Sequence, residues 1–319
     1  MYASFVDLIT FVSKSRVMLY IFVINGRADK RSIIDAELEK QLIGTSFKYD
    51  IYHTIGVGDG IRYVRIYCDL HPDDEVCFVA CGGSGTVNEV ASGIVGFRKK
   101  SMAIMAYEGT NDFIKYYPGR NFQSVAEIMN GETVKVDIIR VNDNYALNVI
   151  NLGFDGMVAY QANRMIESGV EQKTAYRKSV MRSIIGHRVN HVRVEADGIA
   201  LNRKSILLCT MANGRWCGGQ FLCAPRAVVD DGLIDVCLFK TCSLISFLRI
   251  LGPYEKGEHL DNRFCQRRMK YCRAKHLKLT SKYLIYICLD GEITASTEFD
   301  IDILPQAITL VLPQNNEQK

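Results

Sequence analysis

One stretch constrains this chain more than any other: Cys81-Gly82-Gly83-Ser84-Gly85-Thr86-Val87-Asn88-Glu89-Val90. It follows Val76-Cys77-Phe78-Val79-Ala80, an unbroken apolar run that reads as a buried strand. It precedes Val87, Val90, Ala91 and Ile94, which recur at the spacing of one helix face. Three glycines and two hydroxyls therefore sit where a strand becomes a helix. Backbone N–H groups and the helix dipole at such a junction can hold a phosphate. Taken by itself, the stretch reads equally well as a tight loop.

The neighbouring sequence supplies a frame for it. Val17–Ile24 is strand-like, and Ser32–Leu42 is helical, with Ile34, Leu38 and Leu42 on one face. Phe47, Tyr49 and Ile51 alternate as in a strand. A second glycine-rich loop, Thr54–Gly60, leads into a helix over Ile61–Leu70, and Met102–Ala106 is a further strand. Strands alternating with helices predict a doubly wound parallel sheet, with ligands at the carboxyl ends of the strands. The pattern changes after Gly131. Strands are predicted at Val134–Val141, Tyr145–Ile150, His191–Glu195, Ser205–Met211, Ile234–Phe239, His276–Thr280, Leu284–Leu289 and Phe299–Leu304. Helices are predicted at Met157–Ile166, Tyr176–Ile185 and Leu244–Leu251. The expected class is α/β in two parts, a doubly wound one over 17–131 and a mainly antiparallel, β-rich one from 132 onward.

With 48% hydrophobic residues, the 319-residue chain has ample core for two domains. A net charge of +4 is too small to argue for nucleic acid, and it permits contact with an anionic membrane. The 11 cysteines include no Cys-x-x-Cys pair, which fits buried thiols in a reducing cytoplasm better than a disulfide framework. His187 and His191 lack nearby residues to complete a zinc set. Residues 1–16 have an apolar face interrupted by Asp7 and Lys14, too short to span a bilayer. They read either as an amphipathic surface helix or as an extension ahead of a core that starts at Val17.

Several motifs, in order, then resemble one family. The opening turn resembles Gly-Gly-Asp-Gly-Thr-x-Asn-Glu-Val, and Gly109-Thr110-Asn111-Asp112-Phe113 resembles Gly-Thr-x-Asn-Asp-Phe. Asn151-Leu152-Gly153-Phe154-Asp155 follows. Ala212-Asn213-Gly214, Gly218-Gly219, Pro225-Arg226-Ala227 and Asp231-Gly232-Leu233-Ile234-Asp235-Val236 come next, and Leu289-Asp290-Gly291-Glu292 closes the set. From about Val17 to Pro313 the chain resembles the diacylglycerol kinase catalytic-domain family, in particular the bacterial soluble lipid kinases. The resemblance implies a two-domain fold: 17–131 as an α/β nucleotide-binding domain, 132–305 as a β-rich, sandwich-like domain, and a tail, 306–319, that returns to the first. It implies transfer of the γ-phosphoryl group of ATP to the hydroxyl of a lipid alcohol, with ATP and lipid between the domains. It implies nucleotide contacts from Asn25, Thr54, Gly82, Gly83, Ser84, Gly85, Thr86, Asn88, Glu89, Gly109, Thr110, Asn111 and Asp112. It implies a catalytic role for Asp290 and Glu292, with Glu292 as proton acceptor. It implies a Mg2+ site at Asp231 with the carbonyls of Val228 and Leu233, joined by Asp137 through water. A cytoplasmic protein, peripheral at the inner membrane surface, and a homodimer are the corresponding expectations.

Three departures fall in the first half. Ser84 stands where the family has Asp, which removes a full charge beside the expected phosphates. Losing one such charge weakens transition-state stabilisation by a factor on the order of 10²–10³. Asn25-Gly26 replaces Asn-Pro, which is expected to loosen that loop. The segment Ala106–Asp112 lacks a proline, is one residue short, and brings in Glu108. These changes leave two readings open: a working, slowed lipid kinase, or a non-catalytic lipid- or nucleotide-binding member of the same fold.

Overall fold

The computed structural model describes residues 18–26, 28–106, 111–153 and 189–315, together with 158, 161, 162, 164, 165, 168–170, 174, 175, 178 and 179. The extension 1–16, Glu108, Gly109, Thr110, Phe154, Asp155 and His187, and most of the helices expected at Met157–Ile166 and Tyr176–Ile185, lie outside them.

A strand that is apolar at every position needs cover on both faces. Val76–Cys81 (β3) is buried at all six positions. It lies parallel between β1 (Leu19–Ile24) and β4 (Lys100–Met105), and β2 (Lys48–His53) pairs with the far side of β1. Successive strand residues point to opposite faces. On one face Ile21, Val23, Phe78 and Ala80 pack against Val64 of α2 (Asp59–Leu70) and Val87 and Val90 of α3 (Ser84–Ile94). On the other, Phe22, Ile24, Val79 and Cys81 pack against Ile34 and Leu38 of α1 (Ala28–Leu42) and Ile128 of α4 (Val125–Met129). The order β4-β3-β1-β2 reverses direction at β1. A crevice therefore opens between the carboxyl ends of β1 and β3.

The second half is antiparallel. It contains β5 (Glu132–Val141), β6 (Asn144–Ala146), β7 (Val149–Gly153), β8 (Arg193–Ala196), β9 (Ile199–Ala200), β10 (Ile206–Ala212), β11 (Ile234–Lys240), β12 (Met269–Ala274), β13 (His276–Leu289) and β14 (Glu292–Leu312). Ile139, Ile150, Leu152, Met211, Val236, Ile287 and Phe299 share one apolar core. On the opposite side Cys237, Phe239 and Met269 are covered by Phe247, Ile250 and Tyr254 of α5 (Leu244–Glu255) and Cys265 of α6 (Arg263–Gln266). All eleven cysteines are thiols, eight of them buried. No helix among the described residues is long and apolar enough to cross a membrane.

Two pairs of expected strands are continuous. His276–Thr280 and Leu284–Leu289 are parts of β13, whose register against β14 shifts between Thr280 and Ile285. Phe299–Leu304 and the tail join in β14, a strand of 21 residues. Its interruption at Pro305-Gln306 misled the reading: Pro305 has no N–H, and Gln306 has φ 51°. The Gln306 N–H instead donates to Asp137 Oδ1 at 2.7 Å, and pairing with β5 resumes at Ile308. Beyond it, Leu310 and Val311 pair parallel with Met102 and Ala103 of β4. One strand thus hydrogen-bonds to both halves. The strand β12 was missed because its basic residues break the apolar alternation.

The α2–α3 contact is set by Gly93. A Cβ there would lie 2.6 Å from both Val64 Cβ and Val64 Cγ1. Alanine normally favours a helix over glycine by about 1 kcal/mol, but this overlap is with the root of a stiff, fully buried side chain. Gly93→Ala is expected to lower unfolding free energy by about 1–3 kcal/mol in denaturant titration. A stabilised variant would show that the two helices separate freely.

Candidate active site

The three phosphate-side loops meet at the crevice because backbone bonds tie their strands together. Asn25 N–H donates to the Cys81 carbonyl at 3.1 Å, and Thr54 N–H donates to that of Ile24 at 2.9 Å. Thr54 Oγ1 accepts from Gly26 N–H at 3.1 Å. A Cβ on Gly26 would lie 1.6 Å from the Thr54 carbonyl oxygen. Glycine is therefore required there by the close approach of Thr54.

At Gly82 a Cβ would lie 2.5 Å from Thr86 Oγ1 and 3.3 Å from Asn25 Cβ, so the turn folds tightly into the helix. Gly83 is the N-cap of α3, and no side chain caps that terminus. The first intrahelical bond runs from Val87 N–H to the Gly83 carbonyl. The N–H groups of Ser84, Gly85 and Thr86 precede it, at the positive end of the helix dipole. Thr86 and Asn88 are buried, and Asn88 Nδ2 donates to the Tyr145 carbonyl at 3.0 Å.

The second glycine loop is braced at both ends. Asp59 Oδ2 accepts from Tyr52 Oη at 2.8 Å and from Ile55 N–H at 3.0 Å, while Arg62 holds Oδ1 at 2.6 Å. The Arg62 hydrogen bond, followed by that from Ile55, keeps the Asp59 carboxyl below the usual range. Glu89 accepts from Gly58 N–H at 2.7 Å and Gly60 N–H at 2.8 Å. Burial, then the charges of Glu292 and Asp59, push its carboxyl upward against those two bonds. Glu89, expected at the nucleotide, thus positions the loop with both oxygens. The Tyr52–Asp59–Arg62 set was missed, although Gly58-Asp59-Gly60 marked the place.

Across from α3 stands the β13–β14 turn. A Cβ on Gly291 would lie 3.5 Å from Ser84 Oγ, and one on Gly85 would lie 3.3 Å from Glu292 Oε1. Ser84 and Glu292, far apart in sequence, therefore face each other across the crevice. Glu292 is exposed. Asp290 is different. Its buried carboxylate accepts N–H bonds from Leu147 at 2.7 Å, Val149 at 2.8 Å and Asn148 at 3.1 Å. Burial raises its pKa to about 6 even though those three N–H groups pull it down. Asp290, expected as catalytic, is a positioning residue that anchors the turn carrying Glu292.

Asn111 Oδ1 accepts from Phe113 N–H at 2.9 Å and starts a short 3-10 turn over Phe113–Tyr116. Asp112 Oδ1 pairs with Lys115 at 2.6 Å, and its Oδ2 accepts from Gly219 N–H at 3.0 Å. Oδ2 thus ties this turn to the loop of the second half, and Lys115, paired with Oδ1, itself donates to the Gly219 carbonyl. Asn213, within a motif given no role in the sequence reading, donates to the carbonyls of Asp137 and Leu147 at 2.9 Å.

The residues around Asp231 do not fit magnesium. Arg273 holds Asp231 Oδ2 at 2.9 Å, and Leu233 N–H takes Oδ1 at 3.1 Å. A guanidinium already supplies the positive charge there, and a divalent cation beside it would be repelled. Asp137 accepts from Gly232 and Gln306 N–H, both at 2.7 Å, and its own N–H donates to the Val229 carbonyl. Among the described residues no group of three or more His, Cys, Asp or Glu side chains is placed to hold a metal. The expected set had Asp231 as its one direct carboxylate, with the carbonyls of Val228 and Leu233, and the Arg273 ion pair is what weighs against it.

Asp290→Ala would leave three buried N–H groups without their acceptor and place alanine at φ 48°. Each such group costs about 1–3 kcal/mol, so a loss of at least about 3 kcal/mol is expected in chemical denaturation. A change below about 1 kcal/mol would show that the anchor is dispensable.

Comparison with known proteins matches this architecture in both halves. The diacylglycerol kinase catalytic domain matches residues 19–141. The YegS C-terminal NAD kinase beta sandwich-like domain matches 148–312. A probable lipid kinase YegS-like of Shewanella frigidimarina is 26% identical over 272 residues, covering 82% of this chain and 86% of that one. A diacylglycerol kinase of Bacillus subtilis is 26% identical over 246 residues, covering 76% and 79%. The crystal structure of a putative diacylglycerol kinase from Bacillus anthracis superposes with a TM-score of 0.70 at 19% identity, covering 94% of this chain and 99% of that one. An N-terminal catalytic domain joined to a C-terminal β-sandwich-like domain, matched along nearly its whole length, places this chain in the diacylglycerol kinase family of lipid kinases.

Proposed function

We propose that the protein is an ATP-dependent lipid kinase that phosphorylates the hydroxyl of a diacylglycerol-like lipid at a membrane surface. The observation that carries this reading is the facing of the uncapped α3 N-terminus and the exposed Glu292 carboxylate. Free N–H groups at a helix N-terminus suit the phosphates of ATP, whose magnesium complex is the substrate form. A carboxylate across from them suits removal of an alcohol proton. In the reaction the lipid oxygen bonds to the γ-phosphorus as the bond to the bridging oxygen breaks. The electron pair leaves with ADP, and the alcohol proton passes to Glu292. The anchored turn at Asp290 keeps that carboxylate at a fixed distance from α3, and positioning is much of what phosphoryl transfer requires.

The direct test is transfer of labelled γ-phosphate from magnesium ATP to a panel of dispersed lipid alcohols. Labelled diacylglycerol phosphate is expected, and no transfer to any alcohol would overturn the reading. Glu292→Gln removes the base while keeping its shape. It is expected to lower kcat by about 10²-fold or more at unchanged Tm. Equal turnover in the variant would remove Glu292 from the chemistry.

Ser84 supplies a hydroxyl at the first position of α3 where the family motif led us to expect a carboxylate. Ser84→Asp adds a negative charge across from Glu292. ATP binding is expected to weaken at low magnesium, and kcat to rise by about 10-fold at high magnesium. Unchanged kinetics across the magnesium titration would show that position 84 does not face the phosphates.

A further inference from the structure

The second glycine loop carries an apolar surface that phosphate binding does not use. Ile55 and Val57 are 86% and 79% exposed. Between them Gly56 adds no side chain, although a Cβ there would meet nothing within 4 Å and its φ is not positive. The fold therefore does not demand glycine at 56. Its lack of a side chain leaves a low apolar strip, Ile55–Val57, open to solvent.

The backbone under the strip is fixed. Asp59 accepts the Ile55 N–H, and Glu89 accepts those of Gly58 and Gly60. The Gly56 carbonyl accepts from Asp59 N–H at 3.3 Å, and the Gly58 carbonyl accepts from Arg62 N–H at 3.1 Å. Apolar side chains held this way form a surface that needs little ordering when a ligand arrives.

The topology gives the strip its neighbour. In the order β4-β3-β1-β2 the second half joins beyond β4, through β14. Glu292 therefore reaches the α3 N-terminus from the β4 side. The loop follows β2, so it borders that terminus from the opposite side. Phosphates on the N–H groups of Ser84, Gly85 and Thr86 must present the γ-phosphorus to Glu292. The nucleoside, at the other end of the triphosphate, then extends toward β2, where Thr54 leads into Ile55.

A purine has apolar faces and a polar edge. The strip suits a face. It offers little to an edge, because Ile55–Gly58 has no polar side chain and the backbone groups just named are already hydrogen-bonded within the protein. A site that hydrogen-bonds an edge rejects the wrong one by about 10⁴–10⁵, whereas an apolar surface rejects by about 10² at most.

We propose that Ile55 and Val57 seat the base of the phosphoryl donor by its face, and that the donor site accepts GTP nearly as well as ATP. The direction of the triphosphate in this proposal rests on the lipid-kinase reading.

The test is calorimetric binding of the magnesium complexes of ATP, GTP, CTP and inorganic tripolyphosphate to the full chain, without lipid. ATP and GTP are expected to bind within about 10-fold of each other. CTP, whose single ring covers less of the strip, should bind more weakly than either. Ile55→Ser/Val57→Ser should weaken ATP and GTP by about 10-fold or more at parental Tm and leave tripolyphosphate unchanged. Leu70→Ser, 72% exposed at the other end of α2, should alter none of them. A preference for ATP over GTP above about 10³-fold would overturn the proposal. So would a double variant that binds ATP like the parent, or one that loses tripolyphosphate as much as ATP. If that variant keeps ATP affinity but changes oligomeric state or vesicle binding, the strip belongs to a second copy or to lipid instead. Absence of binding by every nucleotide would also overturn it. Transfer assays with diacylglycerol separate the two readings. Nucleotides bound as expected with no lipid alcohol phosphorylated would remove the kinase reading and leave the base site standing. Transfer from ATP with GTP rejected would do the reverse.

Discussion

Three consecutive N–H groups, those of Leu147, Asn148 and Val149, converge on the carboxylate of Asp290, and the rest of the site depends on that convergence. A carboxylate is an acceptor with room for all three. The bonds lock the β13–β14 turn to the start of β7, and only one residue separates the lock from Glu292. A second buried carboxylate does the same work nearby. Asp137, held above the usual carboxylate range first by burial, takes the N–H groups of Gly232 and Gln306. Both acids replace ladder bonds that the chain itself cannot make, one at a tight turn and one beside a proline. Their desolvation opposes ionisation, and the backbone donors offset part of it.

This division of labour among the acids separates what was legible from what was not. The strand Val76–Cys81, the turn Gly82–Gly85 and the face Val87–Ile94 could be read because local pattern determines them. The meeting of three glycine-rich loops at one crevice followed from the order of strands and helices. The purpose of individual carboxylates did not follow. Asp112, Glu89, Asp290 and Asp231 all sit in recognisable motifs, yet each has partners from a distant part of the chain: Gly219, Gly58, Leu147 and Arg273. Such pairings are tertiary, and no local spacing encodes them. Gly26 illustrates the same gap from the other direction, since its absence of a side chain matters only because Thr54 is 28 residues further on and pressed against it.

Strand β14 has a consequence for how the molecule is made. Its residues Leu310 and Val311 cover the edge of β4, and Ile308 and Leu310 belong to the apolar core of the first half. During synthesis the N-terminal sheet leaves the ribosome long before these residues do. At elongation rates of about 5–20 residues per second, that sheet waits on the order of ten seconds or more with an open edge and an unfilled core. Vectorial folding, one domain after the other, therefore cannot finish the first half, which is complete only when Leu310 and Val311, translated long after β4, pair with it.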